Sequence, residues 1–186
     1  MPSPPPAPPR RLLVLGGARS GKSRFAQDAA EANEGEKVYI ATAQAFDDEM
    51  RDRIARHRAD RDARWRTREA PLDLAEAIAQ ETGPGRVVLV DCLTLWLSNT
   101  LLADRDPGEA GGGLRRAVRA ARGPLILVSN EVGHGLVPDT PLGRAFRDAQ
   151  GRLNQDLAQV CDRVVFVAAG CPVLLKPSPA LDMALA

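Results

Sequence analysis

Apolar residues along this chain gather in short unbroken runs, separated by stretches where they recur every three or four positions. Arg11–Leu15, Lys37–Thr42, Arg86–Asp91, Pro124–Ser129 and Arg163–Ala168 are such runs, and Val173–Lys176 is a shorter one suited to a sheet edge. Strands that are apolar at successive rather than alternate positions are covered on both faces, as parallel strands are. Between the runs, residues 24–32 are rich in helix formers and free of Gly and Pro. Further helices are expected over about 47–61, 72–82, 92–103, 113–121 and 141–160. Leu72, Ala75, Ile78 and Ala79 keep helical spacing after the start signal at Pro71. Asp104–Gly113, rich in glycine, reads as a flexible loop, and not as a domain boundary, because the strand pattern resumes beyond it. The pattern predicts one three-layer α/β domain over residues 11–176 with a mostly parallel central sheet. A Pro-rich tail at 1–10 is expected to be disordered, and 177–186 forms a second tail.

Composition narrows the setting. At 186 residues and 44% hydrophobic, the chain is long enough to bury one sizeable core. A net charge of +1 offers no overall electrostatic case for nucleic acid or a membrane surface as partner. Cys92, Cys161 and Cys171 are odd in number and show no C-x-x-C spacing, which argues against a disulfide framework or a zinc site and suits a reducing compartment. The runs are too short to span a bilayer, and the first ten residues lack a signal peptide's apolar segment, so a cytoplasmic protein without a membrane anchor is expected.

The candidate chemistry begins where the first run ends. Residues 16–23 read G-G-A-R-S-G-K-S, a Gly-x4-Gly-Lys-Ser loop between a strand and a helix. Glycines let the loop backbone turn N–H groups onto phosphate oxygens, and the helix N-terminus adds its own N–H groups and positive dipole end. Lys22 is placed to reach the β- and γ-phosphates, and the Ser23 hydroxyl to ligate Mg2+. The loop therefore predicts a nucleoside triphosphate ligand and a P-loop NTPase (RecA-like) version of the three-layer fold. Asp91 closes the third run at a strand's C-terminal end, where a carboxylate can hold Mg2+ or simply cap the turn. The segment that follows, C-L-T-L-W-L-S-N, reads mostly as a buried helix with Trp96 in the core.

Residues 41–71 combine charge with one histidine. Asp47 and Asp48 can cap a helix on which Met50, Ile54, His57 and Arg61 share a face, with Asp60 and several arginines around His57. A solvated basic helix with a boundary histidine fits this pattern as well as a functional one.

Several blocks together resemble a known family. The loop, then Y-I-A-T-A, D-D-E-M-x-x-R-I-x-x-H-R, W-R-T-x-E-x-P, V-D-C-L-T and V-S-N-E-V-G-x-G-x-V-P occur in order over roughly residues 11–176. The later G-R-x-F-R-D-x-x-G-R-x-N-Q and G-C-P-V-L-L-K fit as well. This set is similar to the bifunctional adenosylcobinamide kinase / adenosylcobinamide-phosphate guanylyltransferases of cobalamin synthesis. The resemblance implies ATP or GTP as phosphoryl donor to adenosylcobinamide, and GTP as source of a GMP group carried on a histidine to adenosylcobinamide phosphate. It assigns the nucleophile to His57, with Arg56 where some relatives have a second histidine. It implies nucleotide contacts from Gly16, Gly17, Ala18, Arg19, Ser20, Gly21, Lys22 and Ser23, from Ala41, Thr42 and Ala43, from Arg58, Ala59, Asp60 and Arg61, and from Glu69 and Asp91. A homotrimer is implied too. Asp62, where relatives often place Pro, departs from the pattern.

Independently of the resemblance, a neutral imidazole with a pKa of about 6.5 is a competent nucleophile at neutral pH. The other histidine, His134, falls in the variable slot of N-E-V-G-x-G and reads as incidental. Asn130-Glu131-Val132-Gly133 departs from the Asn-Lys-x-Asp of guanine-reading switches; it is either a strand-end turn or a corrinoid-side or inter-subunit loop. Two other classes stay open on the residues alone: a P-loop kinase of another small molecule without guanylyl transfer, and a nonenzymatic nucleotide-dependent switch.

Overall fold

A computed structural model describes residues 10–44 and 64–178. The elements run β1 (Arg11–Gly16), α1 (Lys22–Glu31), β2 (Glu36–Ala41), β3 (Trp65–Glu69), α2 (Leu74–Glu81), β4 (Arg86–Asp91), α3 (Leu93–Leu102), α4 (Pro107–Ala120), β5 (Leu125–Asn130), α5 (Pro141–Val160), β6 (Arg163–Ala168) and β7 (Cys171–Lys176). The seven strands form one sheet in the order β3-β2-β4-β5-β1-β6-β7. Every neighbouring pair is parallel except β6 with β7, which closes the edge antiparallel. The expected helix over 47–61 and the two terminal tails, but for Arg10 and residues 177–178, lie outside the described residues.

Alternate side chains of each central strand feed two cores. Leu13, Leu15, Val88, Val90, Leu125 and Leu127 pack with Leu74 and Ile78 of α2, Leu97 of α3, Leu114 of α4 and Leu157 of α5. Val14, Val87, Leu89, Ile126 and Val128 pack on the opposite face with Ala26 and Ala30 of α1. Burial on both faces is why these strands are continuously apolar in sequence. Trp96 lies in the first core, its indole N–H donating to the Leu72 carbonyl at 2.9 Å. Cys161 is buried too, and burial pushes its thiol up to about 12.

Two elements differ from the sequence expectation. Asp104–Gly113 is not a loop throughout, because α4 begins at Pro107 and carries four glycines, Gly108, Gly111, Gly112 and Gly113. Asp106 caps that helix, its carboxylate accepting the Glu109 N–H at 2.7 Å, and Pro107 supplies a fixed φ at the first helical position. This start signal and the packing of Leu114 and Val118 outweigh the low helix propensity of glycine. The second difference is β3, a strand the apolar pattern does not show. It is an edge strand of mostly charged residues, W-R-T-R-E, held by ion pairs. Glu81 of α2 receives both Arg66 and Arg68, the latter at 3.1 Å, while Arg66 Nε donates to Glu36 of β2 at 2.8 Å.

Hydrogen bonds from Arg66 hold the Glu81 carboxyl at about 2, below its ordinary 4.5. Because the folded-state value is the lower one, this stabilisation is complete above about pH 5 and is lost as pH falls from there through about 2. Thermal midpoints of the native protein and of Glu81→Gln should therefore differ most near neutrality and converge near pH 2. A constant gap across that range would contradict the assignment.

Candidate functional site

Parallel alignment puts the C-terminal ends of β1 to β6 along one edge, where the Gly16–Ser23 loop, Ala41–Ala43, Glu69 and Asp91 lie. Strand pairing sets their order. Ala41 at the end of β2 stands opposite Glu69 of β3 on one side and Asp91 of β4 on the other. Beyond β4 comes β5, where Val128 faces Asp91 and Asn130 faces Gly16. The phosphate-type loop thus lies two strands from Asp91, with the end of β5 between them.

The loop is built from close approaches. A Cβ added to Gly16 would lie 2.5 Å from the Val167 carbonyl oxygen and 2.6 Å from Ser20 Oγ, so no larger residue fits there. Gly21 caps α1 at φ +96°, in the region that favours glycine, and a Cβ there would lie 3.2 Å from Gly170 Cα. Gly170, in the β6–β7 turn, also donates its N–H to the Ser20 carbonyl at 2.8 Å. The one-dimensional pattern gives no sign that this turn meets the loop; the attachment follows from β6 pairing beside β1. Ala18 and Arg19 are exposed at the loop's tip, while Gly17 and Ser20 are half-buried.

α1 opens with no acidic residue in its first turn and no side-chain cap, so its N-terminal N–H groups and dipole face the loop without a competing carboxylate. Lys22 is buried on its first turn and donates from Nζ to the Gly17 carbonyl at 2.9 Å. Ser23 follows, half-buried. The buried Cys92 thiol links this region to Asp91. Burial raises the thiol to about 11; the Asp91 carboxylate adds to the rise and the Lys22 ammonium opposes it. One side chain therefore lies within electrostatic reach of both the loop lysine and the strand-end carboxylate. The same burial keeps Cys92 from serving as a nucleophile.

Thr42 and Ala43 extend β2 into this edge. The Thr42 hydroxyl is fully buried, donating to the Cys92 carbonyl at 2.7 Å and accepting the Cys92 N–H at 2.9 Å. Asn99 of α3 donates to the Thr42 carbonyl at 2.8 Å and to the Pro71 carbonyl at 3.1 Å. These bonds tie the ends of β2, β3 and β4 together, a structural task for Thr42 that its place in a nucleotide-contact block did not reveal. Glu69 is exposed at the far end of the row. His57, Arg58, Ala59, Asp60 and Arg61 lie outside the described residues. His134 is exposed, its ring 6.2 Å from that of Phe166.

The Gly16–Ser23 loop, Lys22 and Asp91 thus meet on one sheet edge as a candidate nucleotide site. The family model described as cobinamide kinase / cobinamide phosphate guanyltransferase matches residues 12–175. The chain belongs to this family. It is an enzyme of the bifunctional class that the family description names. A Pseudomonas aeruginosa protein named bifunctional adenosylcobalamin biosynthesis protein CobP is 51% identical over 172 residues, 91% of this chain and 99% of that one. Proteins named bifunctional adenosylcobalamin biosynthesis protein CobU are similar as well. Those of Escherichia coli and Salmonella typhimurium are 42% and 39% identical over 180 residues, each covering 89% of this chain and 99% of the relative.

Among solved structures, the assembled ATPase EscN of an enteropathogenic E. coli type III secretion system superposes with a TM-score of 0.54 at 12% identity. The match covers 87% of this chain and 43% of that one. A prototypical type III secretion ATPase follows at 0.51 and 11%, covering 84% of this chain and 50% of that one. At such identity the likeness concerns the fold alone, and that fold is the P-loop NTPase fold. No described helix is long and apolar enough to cross a membrane.

Proposed function

We propose that this chain phosphorylates adenosylcobinamide with ATP or GTP and then converts the product to adenosyl-GDP-cobinamide with GMP drawn from GTP. The observation that carries the reading is the meeting of the Gly16–Ser23 loop, Lys22 and Asp91 on one sheet edge in a member of this family. In the first reaction the substrate's aminopropanol oxygen bonds to the γ-phosphorus. The bond to the β–γ bridging oxygen breaks, and the nucleoside diphosphate leaves with the electron pair. Lys22 and the N–H groups of the loop and of α1 stabilise the charge on the transferring group.

In the second reaction a ring nitrogen of His57 bonds to the α-phosphorus of GTP and pyrophosphate leaves. A phosphate oxygen of adenosylcobinamide phosphate then bonds to the same phosphorus, the P–N bond breaks, and His57 is regenerated. The support for His57 is its place in the block R-I-x-x-H-R together with the nucleophilicity of a neutral imidazole. Ala41 to Ala43, Glu69 and the segment Arg58–Arg61 complete the proposed nucleotide contacts.

Ser23 and Asp91 would hold Mg2+. The donor set fits, since Mg2+ on a nucleotide takes one or two protein oxygens and completes its shell with phosphate and water. When bound, the ion neutralises phosphate charge. A homotrimer is the proposed assembly, and the apolar side chains exposed in and beside the loop after β5, Leu136, Val137 and Leu142, are surface that a partner copy can cover. Sedimentation equilibrium at the chain mass rather than three times that mass would remove this part.

The reading is tested by supplying adenosylcobinamide, ATP, GTP and Mg2+ together and separately. With ATP alone, adenosylcobinamide phosphate should accumulate; with GTP added it should pass to adenosyl-GDP-cobinamide. Accumulation of the phosphate in both cases would leave a kinase without transferase activity. No corrinoid product in either would dismiss the reading.

A further inference from the structure

Two sequence blocks, V-S-N-E-V-G and G-R-x-F-R-D-x-x-G-R-x-N-Q, have no task in the account so far, and the fold brings them together under the end of β5. Ser129 Oγ donates to Asn154 Oδ1 at 2.7 Å, and Gln150 Nε2 donates to Ser129 Oγ at 2.9 Å and to Asn154 Oδ1 at 3.0 Å. All three side chains are buried. Asn154 Nδ2 passes the network on to the Asn130 carbonyl at 3.1 Å. The Asn130 N–H donates to Thr94 Oγ1 of α3 at 2.9 Å, and the next N–H, of Glu131, donates to the Gly16 carbonyl at 3.1 Å. The backbone at Asn130 is therefore held by α3, by α5 and by the last residue of the loop's own strand. Buried, mutually bonded polar groups of this kind fix orientation more than they add stability.

What they orient is one carboxamide. Asn130 Oδ1 is buried and has no hydrogen-bond partner among the described residues. Native proteins rarely leave such an oxygen unmatched. Its place is between the two halves of the nucleotide site: Asn130 pairs with Gly16 across β1 and stands two residues beyond Val128, which pairs with Asp91. An ionised phosphate presents acceptors only, so it cannot satisfy a carbonyl oxygen. The donor that the kinase reaction brings to this edge is the hydroxyl of the phosphoryl acceptor.

We infer that Asn130 receives that hydroxyl: Oδ1 accepts the alcohol's O–H and points its oxygen at the γ-phosphorus. This rests on the kinase half of the proposed function. The alcohol oxygen forms the new bond to phosphorus, the bridging P–O bond breaks toward the nucleoside diphosphate, and the hydroxyl proton leaves to solvent; the carboxamide takes no proton. A neutral amide suits the position, because a carboxylate there would repel the triphosphate.

The test uses Asn130→Ala and Asn130→Ser in the full chain. For Asn130→Ala, kcat/KM for adenosylcobinamide should fall about 30- to 100-fold, the scale of a lost orienting contact, with KM for ATP held within about twofold. ATP hydrolysed per corrinoid phosphorylated should rise, a loss of coupling that a merely structural role would not produce. Self-labelling with GMP from GTP uses no alcohol and should change by less than about twofold. Asn130→Ser, which keeps an acceptor oxygen, should recover part of the coupling and serves if the alanine variant does not fold. Unchanged corrinoid kcat/KM in Asn130→Ala would overturn the inference. So would parallel losses of ATP binding, labelling and thermal midpoint in both variants. A wild-type chain that phosphorylates no corrinoid would instead overturn the functional reading beneath it.

Discussion

Lys22→Ala should abolish both activities, lowering kcat/KM for phosphoryl transfer and for self-guanylylation alike by about 100- to 1,000-fold, as removal of a preorganised charged donor does. On the proposed function both reactions use one triphosphate cradle, and Lys22 is the one lysine of the Gly16–Ser23 loop. Its Nζ already bridges to the Gly17 carbonyl, so the ammonium is held over the loop. The expected loss is shared because the triphosphate must be clamped whichever phosphorus is attacked. Loop architecture should survive the change, since its close approaches come from Gly16, Gly21 and Gly170 rather than from the lysine. The check is a pair of assays, ATP-dependent corrinoid phosphorylation and GTP-dependent labelling, with a thermal midpoint for folding. Either activity kept within about tenfold of the native protein would mean that the loop does not serve that reaction.

His57→Ala should separate the two reactions. Loss of a covalent nucleophile removes a pathway rather than weakening one contact, so guanylyl transfer should fall by at least about 1,000-fold. Corrinoid phosphorylation, which needs no histidine adduct, should stay within about threefold. Measuring the two corrinoid products in parallel distinguishes this from general damage. A variant that loses both activities equally would make His57 part of the shared cradle; one that keeps both would place the transferase chemistry elsewhere.

The residues that were legible in sequence share a physical cause. Strands β1, β2, β4, β5 and β6 are apolar at successive positions because a helical layer or its equivalent covers each face, and that leaves a mark in one dimension. Strand β3 left none, because its register is held by Arg66 and Arg68 on Glu81, contacts between residues that read singly as solvated charge. Glycines obscured the start of α4, although Asp106-Pro107 marked it. In the candidate site, the motif at Gly16–Ser23 is legible because it is one contiguous stretch, and Asp91 because it ends an apolar run. Strand order is a different matter. Only the placement of β5 between β1 and β4 brings Asn130 to the centre of the edge, and only the pairing of β6 with β1 sets Gly170 against the loop. Thr94 and Asn99, set in a run that reads as plain core, hold strand ends in place through side-chain hydrogen bonds to the backbone.

The central claim is that one cradle presents both the γ- and the α-phosphate, the latter to His57. Its most direct test is incubation of the intact chain with α-phosphate-labelled GTP and Mg2+, without corrinoid, followed by peptide mapping. The account predicts one covalent label, stable in alkali and lost in acid, on the peptide that contains His57, and none on His57→Ala or Lys22→Ala. An unlabelled native chain, or a label that persists in His57→Ala, would contradict it.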